Sequence, residues 1–165
     1  YEDDARESNG PGGNSLGCDF DIVAEVVQML ASGNQDDVHR AAAQMEYLVS
    51  SSQPKEDVDV WGWEWTAAGA KENRSTFGNQ AGLWDNFLSI IETNDSVGQA
   101  MVCGAMSKLG FRNAYNVVNM MKHPGLLSAL VQLLDEGNPI KVQKQAWRVL
   151  HNCCSGIDEV KVIIC

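Results

Sequence analysis

Basic charge is what this chain has least of. Its 12 lysines and arginines stand against 22 aspartates and glutamates, for a net charge of −10. Nucleic-acid binding needs a basic stripe that displaces phosphate counterions, and the chain as a whole lacks one, so no nucleic-acid partner is expected. Long apolar runs are missing as well. None approaches the roughly 20 residues that cross a bilayer, and no direct membrane span is expected. The 5 cysteines include no Cys-x-x-Cys pair and no Cys/His spacing suited to a metal, and an odd count is a poor disulfide framework. A reducing, intracellular setting fits them best, the cytoplasm first, with an organelle reached after removal of a targeting peptide also compatible.

Catalytic signatures are equally scarce. His39 sits beside Arg40, His123 precedes Pro124 and His151 follows Leu150. None has a Cys, Asp or Ser partner at a spacing that suggests a triad or a metal cluster. Gly10-Pro11-Gly12-Gly13 lacks the preceding strand and following helix of a phosphate loop. The vicinal Cys153-Cys154 pair falls on a core stripe, where a thiol acts as a small hydrophobe. The expectation is a non-enzymatic protein with no cofactor and no metal.

What is present is enough to fold. The 165 residues, 44% of them hydrophobic, suit one domain with a real core. Charge is unevenly placed: residues 1–66 carry 14 acidic and 3 basic side chains, the remainder 8 and 9. Residues 1–17 are acidic and then rich in Gly, Asn and Ser, and are expected to form a disordered extension. The chain opens at Tyr1 without an initiator methionine and closes on the helix-like Glu159–Cys165, so it is expected to be a piece of a longer protein.

The strongest signal is a repeat. A step of 43 residues lays Asn116 on Asn73, Met120 on Phe77, Gly125 on Gly82, Leu126 on Leu83, Leu130 on Phe87 and Leu133-Leu134 on Ile90-Ile91. A fixed period of this length built from helices marks an α-helical array. Helical spacing supports it. Val23, Val26, Val27 and Leu30 form one stripe, ended by Gly33-Asn34. Val38, Ala41, Ala42, Met45 and Leu48 form the next, with Asp36 or Asp37 as its expected cap. The pair recurs as Trp84–Ile91 with Val97–Leu109, and again as Leu127–Leu134 with Val142–Cys153. Met45, Met106 and Leu150 anchor the second helices, at separations of 61 and 44 residues. The longer interval predicts an insertion over about 51–70. It holds Trp61, Trp63 and Trp65, an alternation that would put the rings on one side of an extended segment, over the end of the first repeat or against a partner. A degenerate helix over 58–70 is the other reading.

These residues resemble an armadillo repeat: Asn116–Met121 as first helix, Pro124-Gly125 as turn, Leu127–Leu134 as second helix, and Val142–Asn152 opening the third. The resemblance implies an all-α fold, a right-handed α-solenoid of about three armadillo-like helical repeats. Their spans are about 18–50, 71–110 and 112–156, with a further repeat starting at 157–165. It also implies that the third helices line a groove gripping an extended segment of another protein. In nuclear-import members a Trp and an Asn four residues later form a ladder along that groove. Here those places hold Ala43 and Tyr47, Gly104 and Lys108, and Arg148 and Asn152.

Lys141, Lys144, Arg148 and Asn152 fall on one helix face, and Lys108 joins them from the preceding repeat. Such a patch would draw an acidic extended segment, with Arg148 making paired bonds to a carboxylate. The expected function is a protein-interaction scaffold or accessory subunit of a larger assembly, with Tyr47, the three tryptophans and these five residues as candidate contacts. The alternatives are a nuclear-transport-type cargo adaptor and a chaperone-like assembly factor.

Overall fold

The computed structural model describes residues 20–50 and 60–155, the side chains of 60–68 excepted. The acidic extension, residues 51–59 of the insertion and residues 156–165 lie outside the described residues. Eight helices and no strand occur among the described residues: α1 (Phe20–Leu30), α2 (Gln35–Val49), α3 (Val60–Gly78), α4 (Leu83–Ile91), α5 (Ser96–Gly110), α6 (Ala114–Lys122), α7 (Leu126–Gln132) and α8 (Ile140–Cys154).

Local chemistry sets the helix ends. Asn34 caps α2 by accepting from the Asp37 amide at 3.2 Å, and Asp95 and Asn113 cap α5 and α6 in the same way. The cap of α2 is therefore Asn34; Asp36 and Asp37 occupy its first turn, where their charge favours the helix dipole. Gly82 and Gly125, one repeat apart, precede α4 and α7 with φ of 79° and 84°. Any side chain there would be strained, which is why glycine recurs at both.

The helices pack like against like. α5 lies between α2 and α8, α4 lies against α1 and α7, and α3 lies against α6. One apolar cluster runs through all of them, with Phe77, Leu83 and Phe87 matched one repeat on by Met120, Leu126 and Leu130, all fully buried. Burying each such side chain stabilises the fold by roughly 1.5–3 kcal/mol. The sandwiched α5 is buried along most of its length, and Gly98, Ala100, Gly104, Ala105, Ser107 and Gly110 let its neighbours approach.

The repeated asparagines have a structural task. Asn73 Nδ2 donates to the Leu48 carbonyl at 2.7 Å, and Asn116 Nδ2 to the Leu109 carbonyl at 3.0 Å and the Arg74 carbonyl at 2.9 Å. Leu48 and Leu109 hold equivalent places near the ends of α2 and α5. Through the Leu48 and Leu109 carbonyls each asparagine thus fastens the start of one repeat to a helix end of the one before, at groups that the helix itself leaves without partners.

Helix α3 begins at Val60, well before residue 71. Trp61, Trp63 and Trp65 therefore lie on helical backbone, and the alternation that would align rings along an extended segment does not apply to it. Their side chains lie outside the described residues.

Candidate partner-binding surface

Helix α8 supplies the longest cationic face. Val142, Ala146, Val149, Leu150 and Cys153 turn into the core, which leaves Lys141, Lys144, Trp147 and Arg148 exposed on the outer side. Among the described residues neither Lys141, Lys144 nor Arg148 has an acidic partner; the ion pairs there are His39–Asp95, Arg40–Asp37 and His123–Asp85. Lys144, Trp147 and Arg148 also border a shallow depression of about 720 Å³ with Leu134, Gln143 and Gln145. An aromatic ring flanked by unpaired cations can hold both the aliphatic and the carboxylate parts of an acidic side chain.

Asn152 behaves differently from its neighbours. It is half-buried, and its Nδ2 donates to the Ser107 carbonyl of α5 at 3.1 Å. That bond joins α8 to α5 and places Asn152 beside half-buried Lys108, and it leaves the second Nδ2 hydrogen and the side-chain oxygen for a partner. Tyr47 on α2 is 76% exposed. Between α2 and α8, the Glu46 carboxylate lies over Gly104, whose missing side chain gives it room. The surface across α2, α5 and α8 is therefore acidic at Glu46 and basic along α8. Trp147 was not among the residues picked out from spacing, because a tryptophan beside a core stripe reads as core; its exposure of 61% is a tertiary fact.

At the C-terminal end of α5, the chain turns through Phe111 and Arg112. The guanidiniums of Arg74 and Arg112 lie over the Phe111 ring, 5.4 and 5.2 Å from its centre. Arg74 is buried; its Nε donates to the Val49 carbonyl at 3.0 Å while Nη2 has no partner. Burial, and secondarily the charge of Arg112, lowers its pKa. Arg112 adopts φ of 51°, left-handed backbone that a non-glycine residue rarely takes. Phe111, Arg112, Asn113, His151, Asn152 and Ser155 border a cavity of about 580 Å³. Of these, only Asn152 stands out in the sequence.

Among the described cysteines, Cys103 and Cys153 are inert by position. Burial pushes Cys103 up to about 12, and burial together with neighbouring Cys154 does the same to Cys153. Among the described residues no cluster of His, Cys, Asp and Glu could hold a metal ion, and no helix is long and apolar enough to cross a membrane.

Compared with known protein families, characterised proteins and solved structures, the chain matches none.

Proposed function

We propose that this chain is part of a short armadillo-like solenoid. It acts without catalysis, as a protein-interaction scaffold or accessory subunit, and receives an acidic extended segment of another protein across α2, α5 and α8. The observation that carries the reading is the row of exposed cations on α8, Lys141, Lys144 and Arg148, none with an acidic partner among the described residues. Charged groups held on a helix face without intramolecular partners are available for complementary charge and speed association. The packing of each helix against its counterpart one repeat on supports the solenoid. So does a graded burial: Ala42 on α2 and the equivalent Cys103 on α5 are fully buried by the next helix of the layer, whereas Trp147 on α8 is 61% exposed. The odd set of cysteines, with Cys103 and Cys153 free and buried, supports an intracellular, reducing setting.

Replacing Lys144 and Arg148 together with alanine should abolish capture of a stoichiometric partner from native extract while leaving the fold intact, since both side chains are exposed. A partner held equally by the variant would move the interface to the segment around Trp61–Trp65 or to the outer helices. An assembly-factor role is the second reading, favoured by the exposed apolar residues Val131, Ile140 and Trp147 at one end of the layers. Transient, substoichiometric association would distinguish it.

A further inference from the structure

Positive charge collects where α5 ends, and nothing described there balances it. Arg74 is 5% exposed yet keeps an unpartnered Nη2, and its only ring contact, Phe111, also carries the Arg112 guanidinium. Two like charges on one ring repel, and burying one of them without a counter-charge is costly. The paired guanidiniums raise the positive potential at this end of α5, and of the two Arg112 borders the neighbouring cavity whereas Arg74 does not. The backbone adds an independent sign. Arg112 holds a left-handed conformation that glycine would take without strain, so at this position an arginine side chain is kept against a local preference. The neighbouring cavity of about 580 Å³ is bordered by Arg112, Asn113, His151 and Asn152 on its polar side and by Phe111 and Val117 on its apolar side. Arg112 can donate to an oxyanion, and so can the second Nδ2 hydrogens of Asn113 and Asn152, whose first are given to Ser75 and Ser107; the Ser155 hydroxyl is spent on the His151 carbonyl at 2.6 Å.

We propose that this cavity is an anion subsite that receives a carboxylate side chain of the partner's acidic segment, with Arg112 as its paired hydrogen-bond donor. The proposal rests on the scaffold reading and gives the groove an anchoring end: Asn152 belongs both to this cavity and to the α8 face that carries Arg148. Arg112 supplies a planar fork that matches a carboxylate, and the Phe111 ring beneath it limits the orientations it can take.

The test uses the 165-residue chain and an end-blocked hexaglutamate peptide, followed by amide and side-chain shifts in two-dimensional nuclear magnetic resonance. Shifts are expected at Phe111, Arg112 and Asn113 and at the Asn152 side-chain amide. Arg112→Gly should weaken binding at these positions by about tenfold, as expected for loss of a charge-assisted bond, without lowering the melting temperature, because glycine relieves the left-handed strain. A purely structural Arg112 would give the reverse pattern, lower stability with unchanged affinity, and would overturn the proposal. So would shifts confined to the lysines of α8. Inorganic phosphate producing the shifts where hexaglutamate does not would overturn the carboxylate assignment. Loss of the subsite with partner capture still sensitive to Lys144→Ala and Arg148→Ala would leave the scaffold reading standing; insensitivity of capture to those two changes would remove that reading instead.

Discussion

Asn116 and Gly78 form a lock whose strength can be measured. The Asn116 side chain is fully buried and donates to the carbonyls of Leu109, at 3.0 Å, and Arg74, at 2.9 Å. Leu109 lies in the last turn of α5, so its carbonyl has no helical partner and depends on that amide. Asn116→Ala should therefore cost about 2–4 kcal/mol: about 1–3 for a buried acceptor left without a donor, and the rest for lost packing. Gly78, the last residue of α3, lies against the same amide. A β-carbon there would fall 2.7 Å from Asn116 Cγ, inside van der Waals contact. Gly78→Ala must then push Asn116 out of its bonds, for a similar loss, offset by at most about 1 kcal/mol of helix propensity.

In an Asn116→Ala background the obstruction is gone, and adding Gly78→Ala should cost close to nothing. Urea denaturation followed by far-ultraviolet circular dichroism would give the four corners of the cycle, with an expected coupling of about 2–3 kcal/mol. Gly104→Ala is the control. Its nearest obstacle is the flexible Glu46 carboxylate, at 2.9 Å, so the same substitution there should be close to neutral. If the effects at Gly78 and Asn116 add to within about 0.5 kcal/mol, the lock does not exist and the repeated asparagines have some other role.

Asp95 predicts a pH dependence. Burial raises its pKa, but the amides of Gly98 and Val97 and the His39 ring, 2.7 Å away, outweigh that, and the net shift is downward. A carboxylate with a depressed folded pKa stabilises above its unfolded value of about 3.9, and that contribution is lost as pH falls through the folded value. Asp95→Asn can still cap α5, so it should flatten the acid limb of the stability curve below about pH 4 while removing the charged bond to His39; an unchanged acid limb would refute the pairing. With Cys103 and Cys153 each held at about 12, thiol alkylation of the native chain should reach half-buried Cys154 before either of them. Mass spectrometry that finds Cys103 labelled first would contradict their burial.

The repeat was legible because the 43-residue step pairs like with like, and core stripes such as Val38, Ala41, Ala42 and Met45 are periodic over a few turns. What the paired asparagines do was not legible. Matching letters report recurrence, whereas the bond from Asn73 to Leu48 spans 25 residues and exists only once the helices have packed. The start of α3 was open for a different reason: Trp61-Gly62-Trp63 carries no 3.6-residue stripe, so spacing could not decide between an extended segment and the degenerate helix over 58–70, and the backbone there is helical. On the candidate surface, Lys141, Lys144 and Arg148 could be placed together because they share one helix. Asn152 could be placed with them, but not its commitment to Ser107, a partner 45 residues away. Phe111 and Arg112 left no trace in spacing, since a left-handed φ at an arginine is a property of the folded turn.

Where the partner lies can be read directly by photocrosslinking. A benzophenone amino acid placed at position 47 or 144, on the exposed faces of α2 and α8, should trap the partner in native extract; the same group at position 89 on α4 or 122 on α6, also exposed, should not. Crosslinks from the α4 or α6 positions, with none from α2 or α8, would contradict binding across the α2–α5–α8 layer.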